Sequence, residues 1–254
     1  MNKRELKSFL DFKVEQYNTI HFIETDPIQI PHQFSKKEDI EIAGFLTATI
    51  AWGNRKSILK NANRMMELLD WSPHDFVINH SPSDIDKLEN FVHRTFQGID
   101  LQYFIQALKN IYLNHEGIEK IFNIYAEERS LQPAIHHFKN IFFELPHAFR
   151  TEKHVSDPKK NSAAKRINMY LRWMVRKDPS GVDFGIWDSL RPQQLSCPLD
   201  VHSGNVARKL KLLTRTANDA KALTELDNSL RKMDPLDPVK YDFALFGIGA
   251  NEKL

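Results

Sequence analysis

The chain has 254 residues, 41% hydrophobic and 11% aromatic, enough for one large domain or two small ones around a substantial core. Charged residues reach 27%, mean hydropathy is −0.47, and no apolar run approaches the ~18–20 residues of a spanning helix, which excludes a helical membrane protein. The formal charge is only +2, and the single cysteine, Cys197, excludes an internal disulfide framework, a four-cysteine iron–sulfur cluster and a zinc knuckle.

The opening segment, Met1 to Phe12, is charged throughout and lacks the apolar stretch and cleavage site of a signal peptide, so a cytoplasmic protein is expected. Apolar residues then recur at helical spacing. Ile42, Phe45, Leu46, Thr49 and Ile50 make one stripe, Ile167, Leu171, Met174 and Val175 a second, and Val206, Leu210 and Leu213 a third. Pro27, Pro73, Pro82, Pro158, Pro179, Pro235 and Pro238 each follow Asp or Ser. That pairing marks a helix start, with the short polar residue as N-cap and proline at the first helical position. With only 9 glycines and no alternating strand pattern, the chain reads as all-α, built from many short helices.

Charge is segregated along this sequence. Trp52 to Arg64, Lys159 to Lys177 and Val201 to Thr216 together hold 15 lysines and arginines and no acid, which leaves −13 on the rest of the chain. Such windows are either solvated helix faces or the electrostatic footprint of a nucleic-acid surface.

Two segments carry candidate chemistry, each a polar loop feeding a basic helix. Lys165 and Arg166 stand in the opening turn of the second apolar stripe, and Lys160 is close by in sequence. Asp200 precedes a helix start and is followed by His202, Ser203, Gly204 and Asn205, a setting of free N–H groups and small polar side chains that suits a phosphate. An amine and a carboxylate converging on a cleft can displace a base from a nucleotide. The amine attacks the anomeric carbon and forms a Schiff base, and the carboxylate stabilises the developing positive charge. On the residues alone, Asp200 is equally an N-cap, Lys165 a solvated lysine and His202 a surface histidine. Trp52, Asn54 and Arg55 are either a helix end with its aromatic packed inside, or a stacking face with phosphate contacts.

Pro198-Leu-Asp200-Val201-His202, followed by Val206-Ala207-Arg208, resembles the Pro-x-Asp-Val-His segment of the helix-hairpin-helix DNA glycosylases, particularly the 8-oxoguanine branch. Ala164-Lys165-Arg166-Ile-Asn168-Met-Tyr-Leu171 is similar to the helix after their hairpin, and Tyr241 to Gly247 to the late helix that closes the base pocket. Gly44 to Ala48 with Asn54-Arg55-Lys56 is similar to the first barrel helix and its DNA-facing loop. The combination also looks like an uncharacterised bacterial family attached to that superfamily, sharing Ala51-Trp-Gly-Asn-Arg55 and His93-Arg-Thr-Phe96. Two departures stand out: the hairpin residues, Lys160 to Ala164, contain no glycine, and the interval from Lys165 to Asp200 is longer than in the commonest members.

The resemblance implies two helical subdomains flanking a cleft, a barrel over 40–195 and a discontinuous second unit from 1–39 plus 196–254. It implies a glycosylase with abasic-site lyase activity, acting in base excision repair on an oxidised purine such as 8-oxoguanine. Lys165 would be the nucleophile and Asp200 the catalytic carboxylate. Asn54, Arg55, Arg166, His202, Ser203 and Asn205 would meet DNA, and Trp52 and Phe246 would line the base pocket. No metal or organic cofactor is expected, and the partner would be double-stranded DNA bound by a monomer. A non-catalytic DNA-binding protein on the same scaffold and an enzyme or binder of structured RNA remain open beside it, with a helical interaction scaffold behind them.

Overall fold

The computed structural model describes residues 1–252. Proline at the first helical position opens a turn at Pro27, Pro73, Pro82, Pro158 and Pro238, three of these being short 3₁₀ turns. Pro179 and Pro235 instead follow aspartates that bend the chain. Asp178 accepts from the backbone N–H of Ser180 and Val182, and Asp234 from those of Leu236 and Asp237. The carboxylate has closed an Asx turn rather than capped a helix.

Among the described residues the helices are α1 (Lys3–Tyr17), α2 (Lys37–Thr49), α3 (Arg55–Leu68), α4 (Pro73–Asn79), α5 (Pro82–Asp86), α6 (Gly98–Asn114), α7 (Ile118–Ile124), α8 (Gln132–Phe142), α9 (Lys165–Val175), α10 (Val201–Lys209), α11 (Ala220–Arg231) and α12 (Tyr241–Asn251). A small antiparallel hairpin, β1 (Val92–His93) with β2 (Phe96–Gln97), interrupts them, pairing Val92 with Gln97 and His93 with Phe96. Strands this short leave no alternation to read in a sequence, so the mainly α expectation holds with this one exception. None of these helices is long and apolar enough to cross a membrane.

Every residue of α2 from Ile40 to Thr49 is buried, as is every residue of α9 from Ile167 to Val175. A helix covered on all faces belongs at the centre of a bundle. The two pack directly on each other, and Gly44 sets their separation: a methyl there would stand 3.2 Å from Met174 Cε. Around them Phe45 meets Phe104, Phe138, Phe142 and Tyr170 at ring separations of 5.4–5.7 Å. Such pairs add ~0.5–1.5 kcal/mol each beyond the burial itself, so Phe45→Ala is the single change that most damages this region.

The buried apolar residues form two clusters. The larger runs from Ile28 to Leu195 and is completed by Val239 and Phe243. The smaller is built from Leu10 of α1, Cys197 and Leu199, and the inner faces of α10, α11 and α12. The third stripe is cut short. The helix ends at Lys209, and Lys211 takes a left-handed conformation (φ 58°), so Leu213 reaches the smaller cluster from a loop.

Candidate functional site

A cleft of about 660 Å³ is lined by members of both clusters, Met169 and Phe243 from the larger, Ala163 and Leu199 from the smaller. Lys165 enters it as the first residue of α9, and the loop before it explains how. Asn161 adopts a left-handed conformation at φ 62°, the geometry glycine would otherwise supply, and Ala164 follows at φ 44°. The Asn161 carbonyl accepts from Ala220 N–H (3.2 Å), its amide donates to Asp219, and Asn168 Nδ2 donates to the Ala163 carbonyl (2.9 Å). The glycine-free hairpin is therefore braced by the start of α11 and by its own helix. The segment ahead of it is only one 3₁₀ turn, Pro158–Lys160.

Asp200 arrives from the other side as the N-cap of α10. Its Oδ1 accepts from Ser203 N–H (2.9 Å) and Oγ (3.1 Å), and Oδ2 stands 3.2 Å from Lys165 Nζ. The cap uses one oxygen and leaves the other to the lysine, so capping α10 does not use up the carboxylate. The Lys165 side chain is 36% exposed and that of Asp200 15%, which puts the pair at the mouth of the cleft rather than in the core.

The remaining expected site residues divide. Trp52 lines the cleft half-buried, edge-on to His93 at 5.0 Å and stacked on His154 at 6.2 Å. Gly53 stands at φ 98°, a conformation L side chains rarely adopt, so the corner after Trp52 favours glycine. Phe246 and Arg55 line the cleft together, the guanidinium 5.6 Å from the ring centroid. His202 also lines it; Nδ1–H donates to the Gly249 carbonyl (3.1 Å), tying the exposed ring to α12.

Arg166, expected as a DNA contact, is mostly buried in the wall. It donates to the Thr49 carbonyl and lies 4.8 Å over Trp52, and burial pulls it down to about 10. Ser203 is a correction: it is fully buried and its hydroxyl serves the Asp200 cap, leaving nothing for a phosphate. Asn54 is an exposed N-cap of α3, accepting from Ser57 N–H, and Asn205 is exposed on α10; neither is among the residues lining the cleft.

Three lining residues escaped the sequence reading. Arg172, expected as part of a basic face, is 3% exposed. It donates from Nε to Asp183 (3.1 Å) and from Nη1 to Asp242, with its guanidinium 4.3 Å from the Phe243 centroid. Burial alone would lower it, but Asp183 and Asp242 raise it above its ordinary value. Asp242 is 5% exposed; burial pushes its carboxyl up to about 6, with Arg172 drawing it down and Asp200 adding to the rise. Asp26 caps the turn at Pro27 and is likewise raised by burial, against the pull of the Ile28 N–H and Arg172. One signal was available. Lys165 and Arg172, at i and i+7, share one face of α9 with the apolar stripe beside it, a partial hint that the later cation is drawn inside.

A family model described as a protein of unknown function (DUF2400) matches residues 26–251. The chain belongs to that family. The match takes in every cleft residue named above, Lys165 and Asp200 among them. Neither a curated protein nor a solved structure matches the chain.

Proposed function

We propose that this chain is a DNA glycosylase with abasic-site lyase activity, of the helix-hairpin-helix type, acting on an oxidised purine such as 8-oxoguanine. The observation that carries the reading is the approach of Lys165 Nζ to Asp200 Oδ2, 3.2 Å, at the mouth of a cleft of about 660 Å³. The volume is of the size that takes a small-molecule group out of water. Rings on two elements, Trp52 and Phe246, offer faces to an extruded base, and Arg55 stands at the rim for the backbone. The two core clusters support the reading of two helical subdomains about the cleft, a barrel and a discontinuous second unit.

In this mechanism duplex DNA surrenders one nucleotide to the cleft, at a cost of a few kcal/mol for unstacking. The Lys165 amine bonds to C1′ as the base departs, and Asp200 Oδ2 stabilises positive charge on the sugar. Ring opening then gives the Schiff base from which the strand is cleaved. The bracing of Asn161 and Ser162 by Asp219 and Ala220 supports a hairpin that keeps its shape without glycine.

Borohydride trapping on duplexes carrying 8-oxoguanine or an abasic site tests this. Wild type is expected to form a covalent adduct that Lys165→Gln abolishes. Tight, salt-dependent DNA binding with no adduct on either duplex would instead favour a non-catalytic DNA-binding protein, a reading to which the absence of a glycine hairpin lends weight.

A further inference from the structure

Resting on the glycosylase reading above, we propose that Asp242 is the general acid that hands a proton to the departing base. Asp242 lines the same cleft as Lys165 and Asp200 but from α12, with Phe246 one turn further along. Arg172 Nη1 holds Oδ2, and Cys197 Sγ, a weak donor, lies 3.6 Å from Oδ1. Oδ1 is therefore the oxygen left to carry a proton. A base whose sugar carbon meets Lys165 would extend past Trp52 toward α12, which brings its ring to that carboxyl.

The groups that bear on this titration come from each neighbouring element. Arg172 and Lys165 face it from α9, Asp200 and Cys197 from the segment that opens α10, and Asp183 and Asp26 act through the Arg172 they share. Burial outweighs the arginine and leaves the carboxyl at about 6, close enough to neutrality for proton transfer. Asp200 is the more exposed of the two carboxylates and already engaged by Lys165 and its cap. Two acids in different surroundings thus take different parts, one paired with Lys165 beside the sugar and one protonated beside the base.

In the step, the bond from C1′ to the base nitrogen breaks and its electron pair stays with the base. The base takes the Asp242 proton and leaves neutral. The Lys165 ammonium first gives a proton to water; the lone pair so freed forms the new bond to C1′, and the surplus proton on that nitrogen then returns through water to Asp242.

The experiment compares wild type, Asp242→Asn and Asp242→Glu on two duplexes, one with 8-oxoguanine and one with an abasic site, where no base is left to protonate. Single-turnover base release by Asp242→Asn is expected to fall by ~100-fold or more, with partial recovery in Asp242→Glu. Borohydride trapping on the abasic duplex should persist in Asp242→Asn, which also shows that the variant folds. Wild-type base release should decline as pH rises through about 6, and that limb should vanish in Asp242→Asn. Undiminished base release by Asp242→Asn overturns the proposal. So does joint loss of release and trapping, which would make Asp242 a structural partner of Arg172 only. Absence of base release from wild type overturns it as well, and if abasic trapping is also absent the glycosylase reading fails with it.

Discussion

Helices α3 and α9 look alike in sequence and sit differently in the molecule. Each opens on a pair of basic residues and continues through an acid-free, cation-rich stretch. On α3 the residues Arg55, Lys56, Lys60 and Arg64 are all exposed, and the helix buries only Ile58, Ala62, Met65 and Met66. Arg172 on α9 and Arg176 at its C-cap are 3% exposed and held by Asp183, Asp237 and Asp242. An acid-free window therefore does not establish a basic surface. What decides is whether the helix has a free face, and α9, packed on α2 and covered all round, has none beyond its first turn. The charge segregation read along the sequence shrinks accordingly, with part of it neutralised inside the protein by aspartates from distant segments.

The comparison breaks or holds first on stability. Arg172→Met is expected to cost ~3–5 kcal/mol, because it leaves Asp242 buried without its arginine and Asp183 with Arg176 alone. Lys56→Ala on α3 should stay within ~0.5 kcal/mol in the same urea titration. Equal effects would mean that the two helices do not differ as described.

Asp227 is a buried acid whose ion pair is longer than those of Asp183 and Asp242. Its nearest cation, Arg231 on its own helix, is 3.8 Å away, and burial pushes the carboxyl up to about 6 despite it. An acid raised in the folded state adds stability that is intact below its unfolded value and lost as pH rises through the folded one. Asp227→Asn removes this titration while its amide oxygen can still accept from Cys197 N–H. Relative to wild type the variant should therefore gain up to ~3 kcal/mol between pH 4 and pH 7. Urea midpoints measured at the two pH values check this, and a constant difference would refute it.

On DNA the roles reverse. The double variant Lys56→Ala with Lys60→Ala should leave folding intact and flatten the dependence of log affinity on log salt by ~1 per lysine. An unchanged slope would remove α3 from the interface. The smallest effect concerns the entry to α9. Asn161→Ala should cost ~1–2 kcal/mol and Asn161→Gly much less, since the left-handed corner and not the side chain sets the need. Equal losses would assign the stability to the Asn161–Asp219 hydrogen bond instead.

Periodicity made α2 and α9 legible because each stripe repeats over more than two turns, and Asp or Ser before proline marked the turns at Pro73, Pro82 and Pro158. Lys165 and Asp200 were singled out by their local settings and by the resemblance of the segments around them. The charged floor was not legible. Asp26, Arg172 and Asp242 come from three elements, and each has an ordinary local explanation: a cap, a basic helix face, a polar residue in an apolar helix. Only tertiary packing puts them around one guanidinium. Ser203 failed for the opposite reason, since the N3 position of a capping box already accounts for its hydroxyl.

The central claim is that Lys165 forms a covalent bond with the sugar, and the most direct test is to find that bond. Wild-type protein would be reduced with borohydride on an abasic duplex, digested, and the peptide carrying the sugar remnant read by mass spectrometry. The remnant is expected on Lys165. A remnant on another lysine, or on the N-terminal amine, with Lys165 unmodified would contradict it.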